Sequence, residues 1–160
     1  MRAFKPDTVK KQQQTSRFFE HFNNIGGIHR ASVVDIQKNI HHFLKDLIFG
    51  NIVQDKYMEI LMSDPRIIQE AITYTEQNLI ENHIILQSMN CAVNCKDVSI
   101  TTLPAFNNIY TKYSLKANTY GVLLTELRNF MSSGNAEYLI GISVKLNSPF
   151  MRGSKQQFLL

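Results

Sequence analysis

The sequence is poor in the residues and segments that usually reveal a function. Its 160 residues include two cysteines and no tryptophan, and only 19% of them are charged. No apolar run approaches the roughly 18 residues that a membrane-spanning helix needs, and no apolar segment follows the basic start as in a signal peptide. These absences predict one folded domain, neither secreted nor membrane-inserted, with the cytosol as its default compartment.

Motifs for catalysis and metal binding are also missing. The chain has no glycine-rich phosphate loop, no G-x-S-x-G and no H-E-x-x-H. His41 and His42 are neighbours on a predicted helix and so point about 100° apart, while Cys91 and Cys95 lack a second ligand pair at zinc spacing. We therefore expect no catalytic residue, no cofactor and no metal site, and we predict that the protein is not an enzyme.

Positive charge is concentrated at the two ends of the chain. Residues 1–20 contain five basic residues against two acidic ones, residues 145–160 contain three basic residues and no acidic one, and the rest is slightly acidic. Such segments attract phosphate or an acidic neighbour through a salt-dependent Coulomb term. We interpret residues 1–14 and 147–160 as terminal arms that contact a partner. The alternative is that these polar segments only keep the protein soluble. The side chains expected to contact phosphate or an acidic partner are Arg2, Lys5, Lys10, Lys11, Arg152 and Lys155.

Between these arms, residues 15–146 are predicted to form a single, mainly helical domain. Four helices are expected in its first part, near residues 15–24, 32–50, 54–62 and 65–89. The second is the clearest, because Ser32 and Asp35 have the spacing of a capping box before an apolar face of period 3.6. On the fourth, Ile80 and Ile84 lie among polar residues on the side away from the apolar face. We interpret this pair as a contact surface for a partner.

Residues 105–131 mix turn-forming and apolar residues and allow two interpretations. Eight side chains recur at spacings of three and four, which predicts one helix about 40 Å long. They are Phe106, Ile109, Tyr113, Ala117, Tyr120, Leu124, Leu127 and Met131. The alternative is a strand at residues 109–115 followed by a shorter helix. Leu115 and Val122 add a weaker apolar stripe on the opposite side, and a helix with two apolar faces is usually packed between two neighbours.

Two segments have the composition or alternation of β-strands. Residues 97–103 are rich in β-branched side chains, and apolar residues alternate along residues 137–146. Two strands alone are marginal in water, and their edges expose backbone groups that can pair with another chain. The predicted fold class is therefore α+β and mainly α: a helical bundle with a small antiparallel β module that neighbouring subunits complete.

These features together predict a subunit of a larger assembly. The expected subunit interface consists of Tyr138, Ile140, Ile142, Val144, Leu115, Val122, Ile80 and Ile84. In its layout and its composition rich in Asn, Ile and Lys, the chain resembles bacteriophage head-to-tail connector or ring proteins. The resemblance implies a non-enzymatic structural protein of the virion, assembled in the host cytoplasm. Its partners would be copies of itself in a ring around the DNA exit channel, closed by head-to-tail contacts, and other structural proteins.

Two other functions stay open at this point. A nucleic-acid-binding accessory protein would use the basic arms on phosphates, although the body is slightly acidic and the arms have few aromatic residues for base stacking. A small enzyme or ligand carrier would use a pocket between helices, whose residues need not form a motif. The sequence patterns favour a subunit of an assembly. We expect neither a membrane nor a small-molecule substrate among its partners.

Overall fold

The computed structural model of the chain describes residues 15–52, 54–94 and 104–148. Within these residues the backbone forms six α-helices and one short 3₁₀ turn at Ile28–Arg30. The helices are α1 Arg17–Asn23, α2 Val33–Phe49, α3 Asp55–Ser63, α4 Arg66–Asn94, α5 Pro104–Ser133 and α6 Glu137–Leu146. The predicted helical bundle is confirmed. The predicted β module is wrong, since the same residues contain no strand.

Residues 137–146 form α6, where the sequence pattern predicted a strand. Leu139, Ile142 and Leu146 recur at spacings of three and four and are buried, whereas Ile140 and Val144 are exposed. A short, mostly apolar run fits both a period of two and a period of 3.6, so packing decides between strand and helix. The other predicted strand, residues 97–103, lies outside the described residues. The correction at α6 removes the strand edge on which the predicted pairing between subunits depended.

Residues 105–131 lie within one helix, α5, as the spacing of their apolar residues predicted. α4 and α5 contain 29 and 30 residues, so each is about 45 Å long. They run antiparallel, because Ile68 of α4 adjoins Phe130 of α5 while His83 adjoins Ala117 across a shallow groove. The two helices form a long hairpin that is the main structural axis of the described chain.

The hydrophobic core lies at one end of this hairpin. Phe18, Phe19 and Phe22 of α1 are all buried there. Phe18 packs on Phe43 of α2 with ring centroids 5.3 Å apart, and Phe19 stacks on Tyr57 of α3 at 4.8 Å. The hairpin supplies Ile67, Ile68, Ala71, Leu123, Leu127 and Phe130. Because a fully buried phenylalanine contributes roughly 1.5–3 kcal/mol, the three rings are what anchors the short helix α1.

Local signals set the boundaries of the first two helices. Ser16 caps α1 by accepting a hydrogen bond from the Phe19 amide at 3.1 Å. At α2 the Asp35 amide donates to the Ser32 hydroxyl at 3.1 Å and the Ser32 amide donates to the Asp35 carboxylate at 3.2 Å, which completes the predicted capping box. Gly50 then ends α2 at φ 75°, a left-handed conformation that glycine adopts without strain.

Arg66, at the start of α4, ties together loops that are distant in sequence. Its guanidinium donates to both carboxylate oxygens of Asp64, with Nε at 3.0 Å and Nη2 at 2.8 Å. It also donates to the backbone oxygens of Ala31 at 2.8 Å and Ile28 at 3.3 Å. The hydrogen bonds from Arg66 lower the pKa of the Asp64 carboxyl below its ordinary value. The connection before α2 is thereby fixed to the turn before α4.

Candidate functional site

The short helix α6 carries apolar side chains on two faces. Its inner face packs into the core through residues such as Ile142, which is 0% exposed. On its outer face Ile140 and Val144, one turn apart, are 39% and 70% exposed, and Tyr138, on a different side of the helix, is 36% exposed. Three of the four interface residues predicted in this segment thus lie at the surface. Ile142 is a correction, because it belongs to the core and is not available to a partner.

A second pair of exposed aliphatic residues lies on α4. Ile80 and Ile84 are one helical turn apart and are 56% and 55% exposed. The sequence predicted their position on the side of the helix that faces away from the core, and that position is confirmed. We call Ile80 and Ile84 the α4 patch, and Ile140 and Val144 the α6 patch.

The predicted second stripe of residues 105–131 does not form a separate outer surface. Leu115 and Val122 are both half-buried. Val122 packs against the core and, with Leu79 and His83 of α4, lines the groove between α4 and α5. These two residues therefore belong to the side of the hairpin, and a partner would reach Val122 only within that groove.

Sequence reasoning missed a third apolar surface, where α3 meets the end of α5. Met62 and Met131 are 56% and 43% exposed, and with Pro65 and Phe130 they line a depression of about 190 Å³. The helical periodicity had assigned Met131 to the inner face of α5. No local signal reveals this surface, because Met62 and Met131 are far apart in the sequence and meet only in the folded chain.

The far half of the hairpin has no buried side chain among the residues that the structure describes. From residue 83 of α4 onward and up to residue 116 of α5, every described side chain is exposed or half-buried. Phe106, Ile109 and Tyr113 of the predicted α5 stripe lie in this part, and Ile109 is 46% exposed. The apolar stripe of α5 is thus covered only where the core adjoins it.

Buried polar groups in the described chain have structural partners. Glu126 of α5 is 3% exposed and accepts a hydrogen bond from Lys145 Nζ of α6 at 2.8 Å, which fastens α6 to α5. Tyr120 lies between α4 and α5, and its burial, followed by the effects of Tyr74 and Glu81, raises the pKa of its hydroxyl. Both groups are explained by helix packing.

The described residues also bear on metal binding and on membrane insertion. Among the described residues no three His, Cys, Asp or Glu side chains are placed to hold a metal ion together. Over the same residues no helix combines the length and hydropathy needed to span a bilayer. The six basic arm residues, Arg2, Lys5, Lys10, Lys11, Arg152 and Lys155, and one cysteine of the C-x3-C pair, Cys95, lie outside the described residues.

The described chain is therefore an α-helical bundle that extends into a long two-helix hairpin and exposes small aliphatic patches. A scan against protein-family models gave no match, and neither curated proteins nor solved structures gave a significant one.

Proposed function

We propose that the protein is a non-enzymatic structural subunit that assembles head to tail with copies of itself in a large particle, a virion ring or connector. The observation that carries this proposal is the presence of two separate aliphatic patches. The α4 patch and the α6 patch each place two branched side chains one turn apart, and all four side chains are between 39% and 70% exposed.

A second copy of the chain is the partner that these patches fit. They are similar in size and chemistry but lie on different helices. When the α6 patch of one copy packs on the α4 patch of the next, the contact is heterologous, and repetition closes a ring or extends a filament. An interface of this kind does not need a strand edge.

The magnitude of the contact indicates a weak, assembly-dependent interaction. The four side chains are partly covered already, so completing their burial contributes about 1 kcal/mol each. That sum is comparable with the low end of the roughly 4–15 kcal/mol that association costs in lost freedom. Burial of the patches thus only offsets the smallest association cost, and a stable assembly needs further contacts, such as those proposed for the terminal arms.

The virion setting is supported by the general layout of the chain. A helical body with basic segments at both ends, and a composition rich in Asn, Ile and Lys, resembles the ring and connector proteins of bacteriophages. In a ring around a DNA channel, positively charged arms suit contact with phosphate or with acidic neighbours. This part of the proposal predicts that the native complex contains many copies of the chain.

The decisive experiment uses two complementary double variants of the full chain. I140D/V144D removes the α6 patch and I80D/I84D removes the α4 patch. Each variant alone is expected to be monomeric at concentrations at which sedimentation equilibrium finds wild-type oligomers. An equimolar mixture is expected to form a dimer and nothing larger, because each variant keeps one intact patch.

The matched control is V33D/V34D. Val33 and Val34 are 43% and 54% exposed at the start of α2, where acidic residues suit the helix dipole. This control is expected to assemble like the wild type. Wild-type protein that stays monomeric at millimolar concentration would contradict the proposal, and so would variants that leave the oligomer intact.

A further inference from the structure

A cleft beside α1 and α2 brings together basic side chains from both helices. Arg17 of α1 and His42 and Lys45 of α2 line this cleft, which has a volume of about 420 Å³. The remainder of its lining consists of Thr15, Asp46, Phe49 and Asn51. A phosphate group with its nearest substituents fits within such a space, whose size is typical of small-ligand sites.

The one acidic residue of the lining is already occupied by other partners. Asp46 is 3% exposed, and its carboxylate accepts hydrogen bonds from the Ser16 hydroxyl at 2.7 Å and the Phe18 amide at 3.1 Å. The Arg17 amide and the Asn51 side chain approach it at 3.4 Å. These donors point at Asp46 and not into the cleft, so a ligand there depends on side chains and not on the end of α1.

The three basic residues of the cleft lining lie on two helices, and none of them pairs with an acidic side chain among the described residues. The centroids of the His41 and His42 rings lie 4.0 Å apart, although two neighbouring side chains on a helix were expected to diverge. Burial, and then the nearby positive charges of His42 and Lys45, lower the pKa of His41. The lowered pKa favours the neutral form of His41, so the positive charge of the cleft lining comes from Arg17 and Lys45.

We propose that this cleft binds phosphate groups, with Arg17 and Lys45 as the charged donors and His42 as a third donor. The planar guanidinium of Arg17 can donate two parallel hydrogen bonds to one phosphate, while Lys45 acts as a compact positive charge. The ligand is either a nucleic-acid backbone or a free phosphate compound, and both present the same chemistry. The proposal does not depend on self-assembly, since neither aliphatic patch takes part in it.

The test titrates inorganic pyrophosphate into the full ¹⁵N-labelled chain at low salt and follows amide shifts. The expected shifts are confined to residues 15–18, 41–46 and 49–51. R17Q and K45Q are each expected to weaken binding by about tenfold, the effect of losing one charge-assisted hydrogen bond. K38Q, on an exposed part of the same helix α2 and outside the cleft lining, is the matched control and is expected to change the affinity less than twofold.

A parallel titration with a short DNA duplex identifies the source of the phosphate. Duplex binding that R17Q and K45Q weaken assigns the cleft to a nucleic-acid backbone. Pyrophosphate binding without duplex binding assigns it to a free phosphate compound. Absence of pyrophosphate shifts at these residues would overturn the proposal, as would equal weakening by K38Q, which reports only general charge. Unchanged thermal unfolding of each variant separates loss of binding from loss of fold.

Discussion

Replacing Asp46 by alanine is expected to weaken the attachment of α1 to the body of the protein. Asp46 lies on α2, 30 residues beyond Ser16, and its carboxylate holds the first residues of α1 through the Ser16 hydroxyl and the Phe18 amide. Alanine removes the acceptor and leaves those two donors buried. The side chains of Ser16 and Phe18 are both 0% exposed, so water does not replace the lost partner without opening the structure.

The size of the effect follows from these contacts. A hydrogen bond to a charged group is worth about 1.5–3 kcal/mol, and two of them are lost in D46A. We therefore expect the free energy of unfolding to fall by about 3–6 kcal/mol, a large part of the roughly 5–15 kcal/mol typical of a domain. D46N keeps one acceptor oxygen, but its NH₂ group faces a backbone N–H that needs an acceptor. We therefore expect an intermediate loss of unfolding free energy of about 1–3 kcal/mol.

Urea unfolding of the full chain, followed by circular dichroism, measures these losses directly. Hydrogen exchange at Phe18, Phe19 and Phe22 tests the location, since D46A should speed exchange there more than in α5. D55A is the matched control, because Asp55 is an exposed acid in the first turn of α3 and its loss should cost less than about 1 kcal/mol. A D46A protein within 1 kcal/mol of the wild type would refute the reasoning.

Two further predictions concern the loops and the helix ends. Because Arg66 lowers the folded-state pKa of Asp64, its charge stabilises the protein above the ordinary pKa of 3.8, and this contribution is lost as the pH falls through the lower folded value. The difference in unfolding free energy between wild type and D64N should thus shrink as the pH drops below 3.8, and a constant difference would contradict it. G50A should lose about 1–2 kcal/mol, because alanine is strained at φ 75° and its Cβ would lie 3.1 Å from Ser143 Oγ. G121A, within α5 and with open space around the added Cβ, should instead gain about 0.5–1 kcal/mol in the same urea assay, and equal signs for the two variants would contradict the argument.

The parts of the fold that sequence reasoning predicted are those with local causes. The boundaries of α2 follow from Ser32, Asp35 and Gly50, all within one turn of the helix ends. α6 was mistaken for a strand because its apolar residues fit two periods, and only packing of one face against the core selects the helix. The anchoring role of Asp46 was invisible for a related reason, since its partners lie about 30 residues earlier in the chain.

The same distinction applies to the candidate sites. Ile80 and Ile84 were predicted as a surface pair because two aliphatic residues stand among polar ones on a single helix. The basic cleft was not predicted, since Arg17 comes from one helix and Lys45 from another. Ile142 was placed in the interface only because the segment was interpreted as a strand, whose alternate residues share a face.

The way α4 and α5 pack connects the hairpin with the proposed assembly. Three polar residues, Thr75, Asn82 and Thr119, are buried along these helices, and each bonds to a backbone oxygen of its own helix. These bonds engage the side-chain donors within one helix, so the three side chains add little apolar contact between the helices. Beyond residue 82 no described side chain of α4 is buried, and the α4 patch spans this point. A second copy bound to that patch would therefore supply apolar burial where the hairpin has least of its own, so assembly would stabilise the hairpin by mass action.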